Sequence, residues 1–190
     1  NLGVIYIRGY GVEKNYTKAK EYFEQSAKLN NPVALYDLGI IYINGYGVEK
    51  NYTKAKEYLE QSAKLNNPDA LYNLGILYIR GYGVEKNYSK AKEYFELSAK
   101  QNNSYGFLNL GLLYLFGQGV NQDNSKGLYG LGKLYFHGFG VEKDYIEAKK
   151  YLELSAEQQN SDALIQLGNL YLDSHGVERN YLKAKECFEL

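Results

Sequence analysis

The residues of this sequence that could do chemistry are a set of paired glycines, two histidines, one cysteine and several neighbouring acids. A Gly-x-Gly-Val motif opens at Gly9, Gly45, Gly81, Gly117 and Gly138, and a sixth copy has Ser174 for its first glycine and keeps Gly176. Glycine amides ahead of a helix can cradle a phosphate. A dinucleotide fingerprint also needs a preceding strand and a third glycine, and the sequence supplies neither. A loop that recurs in nearly every copy reads instead as a helix terminator. His137 and His175 sit beside or within these loops at different repeat positions. No Cys, His or carboxylate recurs around them at ligand spacing, so they read as solvent-facing or loop-packing residues. Cys187 stands where other copies carry an aromatic, and there it reads as a small apolar residue rather than a nucleophile. Glu57 and Glu60 fall on a charged helix face, where solvation is the default. No Ser-His-Asp or Cys-His arrangement has a spacing argument behind it. The expectation is a non-enzymatic chain with no metal and no cofactor.

The composition narrows the partners. The 22 Lys+Arg balance 22 Asp+Glu for a net charge of 0, which argues against the basic stripe of a nucleic-acid binder. At 45% apolar and 23% charged residues the chain is globular in character. No apolar run approaches the roughly 18 residues of a membrane span, so direct membrane insertion is not expected. A single cysteine excludes an internal disulfide framework and a four-thiolate zinc site. The chain opens at Asn1-Leu2-Gly3 with neither Met nor a visible signal peptide, and reads as a piece of a longer protein. The lone thiol leans toward the cytoplasm.

The elements that position these residues follow from a repeat. Leu-Gly recurs at Leu2, Leu38, Leu74, Leu110, Leu131 and Leu167, with spacings of 36, 36, 36, 21 and 36. One unit runs from Asn31 to Asn66. Asn31-Pro32 starts a helix, because Asn accepts from orphan amides and Pro fits the first helical position. Ala34, Leu38 and Tyr42 then form one apolar stripe. Gly39 lies beside the stripe at a cost of about 1 kcal/mol against Ala, so a neighbouring helix should approach closely there. Gly45 and Gly47 end the helix. Asn51 caps a second one, with Ala55, Tyr58, Leu59 and Ala63 inward and Lys54, Lys56, Glu57, Glu60 and Lys64 outward. Glu60 and Lys64 form an expected i,i+4 pair. Each unit is thus an antiparallel pair, helix A then helix B, that must stack on its neighbours to bury its stripes.

The pattern Ala34-x3-Leu38-Gly39-x2-Tyr42-x2-Gly45-x-Gly47-Val48, followed by Ala55-x2-Tyr58-x3-Ser62-Ala63 and Ala70, resembles the Sel-1-like repeat, a relative of the tetratricopeptide repeat. The resemblance covers essentially the whole chain. It departs where Tyr replaces a frequent helix-B Trp, where Asn51 replaces a frequent Asp that Asp144 keeps, and at Cys187. It implies an all-α fold, an α-solenoid of antiparallel helix pairs wound as a right-handed superhelix. It also implies an adaptor that assembles protein complexes, or the regulatory repeat arm of a larger multidomain enzyme. Some cysteine-rich relatives suggest a β-lactamase-like hydrolase, but those carry a cysteine pair per repeat.

The fourth unit is 36 − 21 = 15 residues short. The alignment loses nearly all of helix B and puts a polar stretch from Gln118 to Ser125 in its place. The expected organisation is a first block at 1–116, a linker at 117–125 and a second block at 126–190, with a discontinuity near 117–126. Either the next helix turns back and the second block presents its other face, or the linker runs back alongside and alternation is kept.

Many of the 22 tyrosines hold core positions, as Tyr42, Tyr78 and Tyr114 do in helix A and Tyr22, Tyr58 and Tyr94 in helix B. By analogy with tetratricopeptide arrays, residues two before, two after and five after the repeat leucine face a concave groove. These are Tyr36, Ile40 and Ile43, then Tyr72, Ile76 and Ile79, then Leu108, Leu112 and Leu115. Such an apolar stripe either binds a peptide or helix of a partner protein or fills space between tightly wound helices. The oligomeric state is left open.

Overall fold

The computed structural model describes residues 2–118, 124–138, 141–174 and 177–190. Among them are eleven helices: α1 Leu2–Arg8, α2 Tyr16–Ala27, α3 Pro32–Asn44, α4 Tyr52–Lys64, α5 Pro68–Arg80, α6 Tyr88–Lys100, α7 Ser104–Phe116, α8 Asn124–His137, α9 Tyr145–Ala156, α10 Ser161–Asp173 and α11 Tyr181–Glu189. The described residues form no strand, and the fold is all-α, built from helix pairs of the solenoid class. The chain divides between Tyr94 and Phe95 into two compact units.

Local chemistry accounts for the helix ends. Asn31 caps α3 by accepting from the amides of Val33 and Ala34 at 3.0 and 3.1 Å, with Pro32 as first residue. Gly45 ends α3 at φ 74°, a conformation open to glycine without a Cβ penalty. Asn51 caps α4 through the Lys54 amide at 2.9 Å. The B-to-A turn uses a left-handed residue as well: Asn30, Asn66 and Asn102 take it at φ 55–60°, and Gln159 takes it at 60°.

Packing within the first unit pairs A on B. Leu38, Ile41, Ala55 and Leu59 are fully buried. A Cβ on Gly39 would lie 2.8 Å from Leu59 Cγ and 3.4 Å from the Ala55 carbonyl oxygen. The close approach expected at Gly39 is therefore filled mainly by a side chain, with the backbone just behind it. Ser62, also fully buried, donates its hydroxyl to the Pro32 carbonyl at 2.6 Å. Tyr42 stacks on Tyr58 with ring centroids 5.7 Å apart, and Lys54 Nζ stands 5.3 Å from the Tyr42 ring centre. Tyr6 with Tyr22 and Tyr78 with Tyr94 repeat the stack. On the outer face Glu60 pairs with Lys56 at 3.2 Å rather than with Lys64. The preceding-turn lysine also belongs to an i,i+4 pair, so the charge pattern offered both.

The shortened fourth unit is resolved by one helix doing two jobs. Toward α7, α8 sits as a B helix. Gly127 holds the Ala55 position, where a Cβ would meet the Gly111 carbonyl at 3.1 Å, and Lys126 Nζ lies 5.6 Å from the Tyr114 ring centre as Lys54 does from Tyr42. Toward α9, the same helix is an A helix. A Cβ on Gly132 would meet Leu152 Cγ at 2.7 Å, and Ser155 donates to the Ser125 carbonyl at 2.6 Å, as Ser62 does to Pro32. Helix α8 thus packs on both α7 and α9, holding B-helix positions toward the one and A-helix positions toward the other. Lys133, a groove position of an A helix, is also the Gln61 position of a B helix. Its ammonium stands 4.7 Å from the ring centre of Phe107, which holds the place of Leu35. Helix α8 starts at Asn124, within the expected linker 117–125, and residues 119–123 of that linker lie outside the described ones. The division into compact units falls between Tyr94 and Phe95, inside α6, and α7 and α8 pack directly on each other. The second unit has its own core of Leu152, Ala163, Leu167, Leu170, Tyr171 and Ala184.

Candidate functional site

The residues with chemical potential sit in settings that quiet them. His137 is exposed at the end of α8, and partial burial followed by the Lys133 and Lys143 charges holds its imidazole below the usual range. His175 lies outside the described residues. Cys187 is half-buried against the second core, and burial, then Glu186 and Glu153, pushes its thiol up. No cluster of three His, Cys, Asp or Glu with metal-holding geometry occurs among the described residues. No helix among them is long and apolar enough to cross a membrane.

All nine expected groove residues are half-buried: Tyr36, Ile40, Ile43, Tyr72, Ile76 and Ile79 in the first unit, and Leu108, Leu112 and Leu115 in the second. They divide by what they touch. Tyr36 and Ile43 pack against the Leu59, Leu74 and Leu77 core. Leu115 lies against α8, with its Cγ only 2.5 Å from where a Gly127 Cβ would stand. Tyr36 and Ile40 also line an open cleft of about 470 Å³ between α1 and α3. Opposite them are Val4 and Ile7, which hold in α1 the places of Ile40 and Ile43 in α3, and Phe23 lies beneath. Val4, Ile7, Tyr36 and Ile40 are the lining residues at the repeat spacing of the expected groove positions, and the rest of the lining comes from other positions.

Its polar groups are unevenly placed. Arg8 and Lys14 stand together where α1 ends, and Asp37 lies midway along α3. Burial pushes the Asp37 carboxyl up to about 6. Its Oδ2 is buried and has no hydrogen-bond partner among the described residues. Burial, then the charges of Asp69 and Asp37, raises the Tyr36 phenol to about 12, so it remains a neutral donor. Sequence reasoning passed over Asp37. The signal was the repeat itself, since Asn73 and Asn109 hold the same position. It also passed over a second set of clefts on the B-helix side, where Leu35 and Leu38 lie between Glu24 and Tyr58, and Leu71 and Leu74 between Glu60 and Tyr94.

An all-helical repeat array with apolar clefts between its helices belongs to the class of repeat proteins that act as interaction scaffolds. The chain matches the Sel1 repeat at residues 1–31, 32–67, 68–103, 108–129, 125–160 and 161–190, and it is a member of the Sel1 repeat family. Two of the matches overlap at 125–129, inside the shared helix α8. Over 38 residues, 20% of this chain, it is 55% identical to an ERAD-associated E3 ubiquitin-protein ligase component, HRD3B, of Arabidopsis thaliana, and spans 6% of that protein's length. Two solved structures are similar over 99% of this chain at 28% identity. One is a protective antigen of uropathogenic Escherichia coli with an SLR fold (TM-score 0.66, 44% of its chain). The other is a Sel1 repeat protein of Oxalobacter formigenes (TM-score 0.64, 83% of its chain).

Proposed function

We propose that the chain is a protein-interaction adaptor whose A-helix face, at Tyr36, Ile40, Ile43, Tyr72, Ile76, Ile79, Leu108, Leu112 and Leu115, receives a peptide or helix of a partner. The observation that carries this reading is the cleft between α1 and α3, where Tyr36 and Ile40 meet Val4 and Ile7 around open space. Half-buried apolar walls with a few polar groups are the usual build of a recognition groove. A cytoplasmic, reducing setting belongs to the same reading, supported by the single thiol at Cys187.

The test compares the chain with its Tyr36→Ser/Tyr72→Ser variant in a pull-down from the source organism, with melting curves for both. Partners lost by a variant that melts near the parent temperature support the groove. A large drop in melting temperature assigns these tyrosines to packing. A second reading, a repeat arm of a larger assembly, draws on the match to a ubiquitin-ligase component. It predicts that the flanking sequence carries a further domain, which sequencing beyond both ends would reveal.

A further inference from the structure

We propose that the B-helix side of the first unit carries a second docking surface, on which the clefts over Leu38 and Leu74 each take one apolar side chain of an extended acidic segment of a partner protein, with Lys28 and Lys64 receiving its carboxylates. This surface is separate from the A-helix groove and goes beyond that reading.

The first argument is that one cleft is built twice within the first unit. Ala27 and Lys28 of α2, Leu35 and Leu38 of α3 and Tyr58 of α4 line a space of about 340 Å³. At the same repeat positions, Ala63, Lys64, Leu71, Leu74 and Tyr94 line one of about 420 Å³. Leu38 and Leu74 are fully buried, and Leu35 and Leu71 nearly so, which gives each cleft a fixed apolar floor. Helix α4 packs on both α3 and α5. Packed helix axes lie about 8–10 Å apart, so the two floors are at most about 20 Å from each other. About six extended residues span that distance.

The second argument is uncompensated charge. Glu24 and Glu60 also line the clefts, but each is already paired within its own helix, to Lys20 at 2.6 Å and to Lys56 at 3.2 Å. The exposed side chains of Lys28 and Lys64 make no ion pair or hydrogen bond among the described residues. The hydroxyls of Tyr58 and Tyr94 make no hydrogen bond there either. Burial raises both phenols, so they stay neutral donors. Each cleft therefore offers an unmet ammonium and an unmet hydroxyl beside an apolar floor, a combination suited to a carboxylate next to an apolar side chain. An exposed leucine follows each lysine, at Leu29 and Leu65. The third and fifth repeats have Lys100-Gln101 and Glu157-Gln158 at these places. Since Glu157 caps α9 there, the helix end itself does not demand the lysine.

The test uses fluorescence anisotropy with labelled peptides that carry two Leu-Glu pairs joined by a Gly-Ser spacer of about two to six residues, and one peptide with a single pair. The best two-pair peptide is expected to bind at least about tenfold more tightly than the single-pair peptide, because one ligand then fills both clefts. Lys28→Gln and Lys64→Gln should each remove most of that gain. Both side chains are exposed, and unchanged melting curves confirm that the variants fold. Replacing Glu by Gln in the peptide should weaken binding to the parent and have no further effect in the double variant. Equal binding of the one-pair and two-pair peptides, no binding of either, or unchanged affinity in the Lys variants overturns the proposal. Ile76→Ser, on the A-helix face, should leave the affinity unchanged. A loss as large as that of Lys64→Gln would assign the peptide to the groove and overturn this second surface while the groove stands.

Discussion

Gly127 of α8 faces Leu115 of α7 so closely that a Cβ at 127 would stand 2.5 Å from Leu115 Cγ. This contact marks the place where one helix serves two repeats. Gly127→Ala should cost about 1–3 kcal/mol, the usual penalty of overpacking. Adding Leu115→Ala should recover part of it, giving a coupling of at least about 0.5 kcal/mol in a double-mutant cycle by urea denaturation. Strictly additive losses would mean that α7 and α8 do not touch at these residues.

The buried serines tie each B helix to the start of its A helix. Ser62 donates to Pro32 and Ser155 to Ser125, both at 2.6 Å. Ser→Ala at either position should destabilise by about 1–2 kcal/mol, because the hydrogen bond of a fully buried hydroxyl is lost. Chemical denaturation reads this directly. Equal losses at the two sites are the outcome expected if α8 is a true A helix toward α9.

Asp37 makes stability depend on pH. Its folded pKa is raised to about 6 from 3.8, so between these values the folded chain holds a proton that the unfolded chain has released. Stability contributed by the neutral carboxyl is therefore present below about pH 4 and lost as pH rises through 6. With screening of the partly exposed group, Asp37→Asn should be more stable than the parent by about 1–2 kcal/mol at pH 7. The two should converge near pH 4. Parallel stability profiles across this window would show that Asp37 is not perturbed.

Gln159 takes the left-handed turn at φ 60° that Asn takes at 30, 66 and 102. Asn tolerates this region better than a long side chain. Gln159→Asn should raise stability by about 0.3–1 kcal/mol, read as a higher midpoint with an unchanged urea slope.

Much of the fold was legible in the residues because it is decided within a few positions. Asn31-Pro32 and Asn51 are caps whose partners lie two or three residues away, and Gly45 terminates α3 through its own φ. The groove positions followed from period alone, and the cleft that Tyr36 and Ile40 line uses two of them. Ser62 was less visible. Its partner is Pro32, thirty residues back, and its polar side chain gave no sign that it would be fully buried. Asp37 is a similar case, since its meaning lies in what Asn73 does at the same place.

By itself the sequence determined the helix pair, its caps, its 36-residue period and the phase slip in the fourth unit, because each of these rests on local hydrogen bonds and on the spacing of apolar residues. Only the tertiary structure decided how the slip is absorbed. Residues 124–137 satisfy two patterns at once, as a B helix against Gly111 and as an A helix against Leu152. Which pattern a helix obeys depends on neighbours packing on both of its faces, and periodicity along one chain segment describes those faces without saying what will cover them.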